Sequence, residues 1–487
     1  MGKLNPNKYF LYKNRFIIGY ILLAASFLAL ILFVPKIALT GLSASEITSA
    51  TASQNLNLRS VFDGQLVDLP YHLLQKFIFK LIGITTYSVI IPSIIVGGFL
   101  GFFLILLLNR WFRNNTAIIA SIIAVLSSNF LFLVSNGTPL IMVVFWPTLL
   151  LWLGSKVQGK ERPAPIWSFI FAFTLFLSSF TPYMIYLIIL ILIYTILHPH
   201  LRFTIKNLPR IPFIFVSLII LIGFGFMGFI FLQHPETVKP LLYSGDFKIV
   251  TYLNNLKQAF LPFFTWHGVI ESIFLAPQIS LPATLIAVIS LISTFKGFFA
   301  SRNSIAIFLI IFTILISGFH TDYAVLLILP FTILIAHGLR YIIYKWYNLF
   351  PENPYAKLFG VIPIAIFLFT MITSDLSHFI SGYRYAAPVA NQFSNDLTIV
   401  LTHVKSDNYL LLDQTDDFSK LLIATNTVKP ILKQPLDYLV ITSLDNLPQN
   451  TQVYTMTKHT DEKLELQKIY TSSKSQNSDR LYLYSVK

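Results

Sequence analysis

The chain has 487 residues, of which 55% are hydrophobic and 11% charged, with a formal net charge of +14. Because soluble domains carry roughly 25% charged residues, this composition excludes an ordinary soluble protein and indicates many membrane-spanning helices. The chain has no cysteine, which excludes disulfides, thiol catalysis and cysteine-ligated metal sites.

Apolar segments recur through the first 374 residues, and many approach the roughly 20 residues that a membrane span needs. The first follows a basic N-terminus and lacks the small-residue cleavage site of a signal peptide, so we expect an uncleaved span. The apolar run over 165–197 is too long for one span, and Pro182 in "SSFTP" favours a break inside it. We therefore predict an α-helical polytopic membrane protein with about eleven transmembrane helices, over residues 16–34, 87–108, 117–134, 139–153, 165–180, 183–197, 211–232, 281–295, 305–319, 323–339 and 359–372.

The distribution of Lys and Arg predicts the orientation of these helices. With two helices in 165–197, most basic residues fall in loops on one side, whereas a single helix would move the basic stretch "HPHLRFTIKNLPR" to the other side. Because such an excess marks cytoplasmic loops, we expect an integral plasma membrane protein with a cytoplasmic N-terminus and an external C-terminus. The cytoplasmic loops account for the net positive charge of the chain. Nucleic-acid binding is not expected, because the sequence has no basic face or module for it.

Three long segments lie outside the predicted membrane spans. Two are external loops, at about 39–86 and 233–280, and the third is the tail. The tail holds short strand-like runs, "YLLLD", "DYLVITS", "QVYTMT" and "RLYLYSV", between polar pieces. We therefore predict a transmembrane domain over 1–374 and a small external α/β or α+β domain over 375–487.

The stretch "SASEITSA", just after the first predicted span, holds the isolated acidic residue Glu46. Ser43 lies three residues before Glu46, and this spacing predicts a capping box at the start of a helix. Two further acids follow in the same loop, of which Asp63 in "FDGQ" indicates a turn and Asp68 precedes the next predicted helix.

The order of segments after the first span resembles a known family. The stretch "LPYHLLQKFIFKLIG" has a proline at its start and ends at Gly83, and a span, a short basic turn and an Ala/Ile/Ser-rich span follow it. A later stretch, "HTDYAVLLILPFTILIAHGLRYI", enters a span at an aromatic residue and carries a proline. This layout resembles the GT-C membrane glycosyltransferases, in the protein O-mannosyltransferase and aminoarabinose transferase-like branch. Ser45-Glu46 stands where that family has an Asp-Glu pair, and Asp322 precedes Tyr323 where the family often has a basic residue.

The resemblance implies an inverting transfer of a sugar from a polyprenyl-phosphate donor to an acceptor glycan, lipid or protein at the external face, among membrane lipids. This chemistry needs a base for the acceptor proton and positive charge or hydrogen-bond donors for the leaving phosphate. The predicted catalytic residues are Glu46 and Asp68, since partial desolvation raises the pKa of a carboxylate toward the working range.

Several basic residues are predicted to bind the donor phosphate. Lys76 and Lys80 lie four residues apart and so share a helix face, which His72 also joins, and Arg59 precedes them. The alternative for the lysines is snorkelling to lipid headgroups.

Three more residues are predicted to contact substrate, namely His267, His320 and Asp322. His267 lies in the aromatic stretch "FLPFFTWHGVIES", which suits sugar stacking or an interfacial aromatic belt. His320 and Asp322 lie at the outer end of a span, where an unpaired Asp is costly, so we expect Asp322 to pair with His320 or a lysine.

The sequence predicts no cofactor and no metal, because it lacks the paired acids that would hold a divalent ion and has no glycine-rich phosphate loop. Two other functions stay open. A transporter or flippase of lipid-linked glycans would be expected to have internal repeats and ionisable residues in mid-membrane. A scaffold that has lost catalysis is consistent with Ser45 in place of the family Asp.

Overall fold

The computed structural model describes residues 41–112, 114–158, 164–197, 210–242, 248–264, 280–296, 301–349, 354–382, 408–412, 437–441, 452–456, 463–470 and 480–486, with isolated positions elsewhere. The predicted first span lies outside the described residues apart from such isolated positions, and so does His267.

Three short helices precede the bundle: α1 (Ala44–Asn55), α2 (Leu58–Phe62) and α3 (Leu69–Ile82). The predicted capping box of α1 is confirmed, with Ser43 as its N-cap and Glu46 as its partner. The predicted bounds of α3 are confirmed as well, because Pro70 stands in its first turn and Gly83 ends it. The turn at "FDGQ" also forms, with Gly64 at φ +95, a conformation that glycine adopts without strain.

The main bundle is made of longer apolar helices. They are α4 (Thr86–Trp111), α5 (Asn114–Val125), α6 (Ser128–Ser135), α7 (Met142–Gln158), α8 (Ala164–Ser178), α9 (Met184–Leu197), α10 (Arg210–Gln233), α13 (Leu281–Lys296), α14 (Ser301–Ser317), α15 (Ile328–Leu349) and α16 (Pro354–Ser377), with the short α11 (Val238–Leu242) and the amphipathic α12 (Ile249–Phe264) between α10 and α13. A 3₁₀ turn, Thr321–Leu327, leads into α15. Helices are therefore present at each predicted span from 87–108 onward.

Four helices in the described part of the chain are long and apolar enough to cross a membrane, or up to six if each bent pair counts as one span. One bend is a difference from the sequence prediction, because the expected span 117–134 is divided into α5 and α6, which meet at 58°. Its physical reason is Ser127, whose Oγ caps α6 by accepting a hydrogen bond from the N–H of Phe130. The predicted break in 165–197 is confirmed, since α8 ends at Ser178 and α9 begins at Met184.

Hydrogen bonds between distant segments define two ends of the bundle. At the first, called the site end below, the N–H of Asp68 donates to the carbonyl of Phe180 at 2.8 Å. At the opposite end, Nη1 of Arg302 donates to the carbonyl of Trp111 at 3.0 Å. Helix α4 joins the two ends, and its 26 residues give it a length of about 39 Å.

Five strands follow the helices: β1 (Asn408–Leu412), β2 (Asp437–Ile441), β3 (Gln452–Thr455), β4 (Leu464–Tyr470) and β5 (Leu481–Val486). They form one sheet in the order β2-β1-β3-β5-β4. Strand β1 pairs in parallel with β2 and β3, while β5 pairs antiparallel with β3 and β4. The four predicted strands are confirmed, and β4 was not predicted because its residues are mostly exposed and polar and a bulge between Leu466 and Lys468 interrupts its alternation.

Gly137 should not tolerate a side chain. A Cβ at this position would lie 2.7 Å from Cγ1 of Val89 and 2.8 Å from the carbonyl oxygen of Val89, so the backbone of α4 would have to move. We expect Gly137→Ala to lower the free energy of unfolding by about 1–3 kcal/mol, measured by thermal unfolding in detergent. The matched control is Gly225→Ala, since nothing lies within 4 Å of a Cβ at Gly225. Equal unfolding temperatures for the two variants would contradict the prediction.

Candidate active site

The side chain of Glu46 is fully buried, with 0% of its surface exposed. One carboxylate oxygen accepts from the N–H of Ser43 at 2.7 Å and from the Ser43 hydroxyl at 3.0 Å. The other accepts from the N–H of Gly137 at 2.6 Å, across 91 residues of sequence. Burial raises the pKa of Glu46 to about 7, while the hydrogen bonds from Gly137 and Ser43 favour the ionised form. The carboxylate therefore joins the start of α1 to the loop before α7.

Gln75 makes a second polar junction between the helices of the site end. Its Nε2 donates to the carbonyl of Val89 at 3.0 Å, and its Oε1 accepts from the hydroxyls of Ser49 at 3.2 Å and Ser53 at 2.5 Å. One buried amide thus connects α1, α3 and α4. The hydrogen bonds of Glu46 and Gln75 together hold α1 and α3 on the bundle.

The predicted phosphate-binding residues lie in two environments. His72 and Lys76 face α1, where Nδ1 of His72 lies 2.7 Å from the Ser53 hydroxyl and Nζ of Lys76 donates to the carbonyl of Leu56. Burial lowers the pKa of His72 to about 4, so this imidazole is neutral at physiological pH. Arg59 and Lys80 are exposed. The helix face that carries His72 and Lys76 therefore packs against α1. The two exposed cations are Arg59 on α2 and Lys80 at the end of α3.

Asp68 lies at the N-terminus of α3 and is nearly buried, with 9% of its surface exposed. Its backbone is left-handed, with φ at 52°, a conformation that Asp adopts more readily than most residues. The Thr181 hydroxyl hydrogen-bonds its carboxylate, and burial, the larger effect, raises the pKa of Asp68 to about 7. Among the residues that the structure describes, Oδ1 of Asp68 has no hydrogen-bond partner. Asp68 thus combines a fixed backbone with one unused carboxylate oxygen.

A tryptophan orients the hydroxyl group beside Asp68. Nε1 of Trp146, on α7, donates to Oγ1 of Thr181 at 3.0 Å. Because an indole N–H only donates, Thr181 accepts this bond and can direct its own proton to Asp68. The non-helical connection between α8 and α9 contains Thr181 and places it beside Asp68.

Tyr71 and Tyr323 are close enough to interact electrostatically with the Asp68 carboxylate, and Tyr183 packs on Tyr323. The hydroxyl of Tyr71 lies 2.8 Å from Oγ of Ser93. Burial raises the pKa of Tyr71, the hydrogen bond with Ser93 lowers it, and the charges of Glu46 and Asp68 raise it further, so Tyr71 is near both carboxylates. Tyr183 and Tyr323 pack edge to face with ring centroids 4.9 Å apart.

His320 and Asp322 border the same aromatic group. Nδ1 of His320 lies 3.7 Å from Oδ2 of Asp322, with 48% of the His320 side chain exposed, so the predicted pairing of Asp322 is confirmed. The imidazole packs edge to face on Tyr323 at 5.5 Å. Helix α12 fixes the preceding turn, because Nδ2 of Asn255 donates to the carbonyl of Gly318 at 3.1 Å.

The structure brings Asp68 toward His320 and Asp322. The side chains between them, chiefly Thr181, Trp146 and Tyr183, were missed by the sequence prediction. The sequence signal for Thr181 and the adjacent Tyr183 was the interruption "SSFTP" inside an apolar run, whereas Trp146 lies outside that run. Among the described residues, no three His, Asp or Glu side chains gather as possible metal ligands.

A known protein family matches part of this chain in sequence. Residues 70–227 match the family model described as dolichyl-phosphate-mannose-protein mannosyltransferase, which covers less than half of the chain. The match includes α3 and the break that carries Thr181. No curated protein sequence matches the chain.

Solved structures give similarity over the whole chain. The crystal structure of ArnT from Cupriavidus metallidurans bound to undecaprenyl phosphate matches with a TM-score of 0.53 and 13% identity, over 96% of this chain and 98% of that one. Its apo state gives a TM-score of 0.51 and 12% identity over the same shares of the two chains. The chain has the fold of the GT-C membrane glycosyltransferases. The resemblance seen in the sequence is thus confirmed, and the GT-C fold accounts for both the helical bundle and the tail after it.

A more distant match is the Archaeoglobus fulgidus oligosaccharyltransferase tethered with an acceptor peptide. It has a TM-score of 0.48 and 10% identity, over 82% of this chain and 63% of that one.

Replacing Glu46 should weaken the site end of this GT-C fold. Glu46→Gln keeps the size of the side chain but turns an NH₂ group toward the N–H of Ser43 or Gly137, both of which need an acceptor. We expect a loss of about 1–3 kcal/mol in the free energy of unfolding, seen as a lower unfolding temperature. Glu236→Gln is the control, because 68% of the Glu236 side chain is exposed and it should unfold like the native chain. Unchanged unfolding of Glu46→Gln would show that these hydrogen bonds do not hold α1.

Proposed function

We propose that this protein transfers a sugar from a polyprenyl-phosphate donor to an acceptor hydroxyl, with Asp68 as the general base. The observation that carries the proposal is the Asp68 carboxylate, nearly buried, with one oxygen held by Thr181 and the other without a partner among the described residues. The GT-C fold and the match to a dolichyl-phosphate-mannose-protein mannosyltransferase family support it.

The proposed step moves one proton and exchanges one bond at carbon. Asp68 takes the proton of the acceptor hydroxyl, the acceptor oxygen attacks the anomeric carbon, and the bond from that carbon to the phosphate oxygen breaks. The lipid phosphate leaves with the electron pair, and the sugar configuration inverts. A base whose pKa lies near the working pH is suited to this proton transfer, and burial raises the pKa of Asp68 to about 7.

His320 is the proposed donor to the leaving phosphate. It lies in the aromatic group around Tyr323, and nearly half of its side chain is exposed. Lys80 is further along α3, 12 residues from Asp68, or about 18 Å at 1.5 Å per residue. Its role, with that of Arg59, is to bind the lipid side of the donor at the membrane surface. Glu46 has a positioning role. Its hydrogen bonds to Ser43 and Gly137 hold α1 in place, and α1 in turn holds α3.

The protein is proposed to span the membrane about eleven times, with the N-terminus cytoplasmic and residues 375–487 forming an external domain. The basic residues of the loops support this orientation, because Lys and Arg collect on the cytoplasmic side. In this orientation Asp68 faces outward, where a lipid-linked donor meets an external acceptor.

Removing the carboxylate charge of Asp68 should abolish transfer. We expect Asp68→Asn to lower the transfer rate by about 10²- to 10⁴-fold, the usual contribution of a general base. The assay reconstitutes purified protein with a panel of radiolabelled undecaprenyl-phosphate sugars and membrane extract, and measures release of undecaprenyl phosphate. Asp63→Asn is the control, since Asp63 is an exposed turn residue of the same loop. Equal rates for the two variants would remove Asp68 from the mechanism, and no release from any donor would favour the scaffold alternative.

The rate should depend on pH through the same carboxylate. Because the pKa of Asp68 is raised to about 7 and only the ionised form accepts a proton, the rate should fall as pH drops through 7 and level off above it. Thr181→Val removes a hydrogen bond that stabilises the ionised form, so its midpoint should move to higher pH. Profiles of kcat/KM from pH 5 to 9 for the native chain and Thr181→Val test this, and identical midpoints would contradict it.

A further inference from the structure

A second site is indicated at the end of the bundle opposite Asp68. A cavity of about 170 Å³ lies there between α4, α7, α8, α9 and α14. Its α14 wall runs from Arg302 to Leu309 and its α9 wall from Leu187 to Thr195. Seven residues of helix rise by about 10 Å, so the cavity is a cleft that extends from the bundle end toward its middle. Most of its lining is apolar.

Arg302 is the positive charge in this cleft. Its Nη1 donates to the carbonyl of Trp111 at 3.0 Å, and its guanidinium lies 5.4 Å from the ring centroid of Phe112. Its Nε is buried and has no hydrogen-bond partner among the residues that the structure describes. Capping the last carbonyl of α4 explains one of the five N–H donors of the guanidinium, and the described part of the chain offers the buried Nε–H no acceptor.

The surroundings of Arg302 favour an anion. Arg340 is close enough to act on Arg302 electrostatically. The ion pairs within the described residues are His234–Glu236 and His320–Asp322, and neither involves Arg302. The buried Nε–H of Arg302 needs a hydrogen-bond acceptor, and phosphate oxygens match guanidinium N–H groups in both geometry and charge.

The apolar lining of the cleft favours a lipid over a free anion as its ligand. Leu190, Ile191 and Phe308 line the cleft beyond the arginine, where a small anion would leave apolar surface uncovered. An aliphatic chain would cover that surface while its phosphate meets Arg302. We propose that this cleft binds an anionic phospholipid of the surrounding bilayer, with the phosphate at Arg302 and part of one acyl chain between α9 and α14. The site is separate from Asp68, and its test does not depend on sugar transfer.

Two variants test the two halves of the site. Arg302→Gln removes the charge, and Lys345→Gln is its control, because Lys345 is exposed at the same end of the bundle. Gly154→Leu fills the cleft, since Gly154 lines it and a Cβ there meets only Cε2 of Phe171 at 3.7 Å. Gly225→Leu is the matched control, as a helical glycine with nothing within 4 Å of its Cβ.

The measurement is native mass spectrometry of the full-length protein in a neutral detergent, with phosphatidylglycerol or phosphatidylcholine of the same acyl chains. We expect the native chain to retain phosphatidylglycerol in preference. Arg302→Gln should reduce that retention about tenfold, as loss of one charge-assisted contact would, and Gly154→Leu should reduce it about as much by excluding the acyl chain. Both controls should retain the lipid like the native chain. If Arg302→Gln unfolds, the Gly154→Leu and Gly225→Leu pair decides the question alone.

Four results would overturn the proposal. Equal retention of the two lipids would remove the anionic preference, and native-like retention by Gly154→Leu would place the lipid elsewhere. Displacement of phosphatidylglycerol by inorganic phosphate would mean a site for a free anion. Displacement by undecaprenyl phosphate that excess phosphatidylglycerol cannot reverse would mean a site for a polyprenyl lipid.

Discussion

The buried carboxylate of Glu46 is the constraint on which the site end of this protein depends. A charge without solvent contact is tolerated only where hydrogen bonds replace its water, and here the start of α1 and the loop before α7 supply them. Those bonds hold α1 in one place, and Gln75 then fixes α3 between α1 and α4. The position of Asp68, the first residue before α3, follows from this arrangement.

The same rule explains why the site forms where helices are interrupted. Helix ends leave backbone N–H and C=O groups without partners, and these must be satisfied by other segments when they are buried. The N–H of Asp68 donates to Phe180 and the N–H of Tyr183 donates to Leu241, both at the gap between α8 and α9. These two hydrogen bonds join the start of α3, the α8–α9 connection and the end of α11. They place the Thr181 hydroxyl beside the Asp68 carboxylate. The polar chemistry thus occupies positions that uninterrupted apolar helices could not provide.

Local signals were enough to predict much of the fold from the sequence. Pro70 and Gly83 bound α3, Ser43 and Glu46 form the capping box, and Pro182 marks the break in a long apolar run. Long-range contacts could not be predicted in this way. The bond from Gly137 to Glu46 spans 91 residues and the one from Trp146 to Thr181 spans 35, and no sequence spacing encodes either. The sequence therefore identified both carboxylates as candidates but could not tell which one is fully hydrogen-bonded.

That difference supports the roles proposed for the two acids. Burial raises the pKa of both Glu46 and Asp68 to about 7, so neither burial nor pKa distinguishes them. A general base needs an unoccupied lone pair within reach of the proton that it takes. Both oxygens of Glu46 already accept backbone N–H groups, whereas Oδ1 of Asp68 has no partner among the described residues. The hydrogen bonds of Glu46 hold α1 and its side chain has no exposed surface, so we propose catalysis for Asp68 and support of the fold for Glu46.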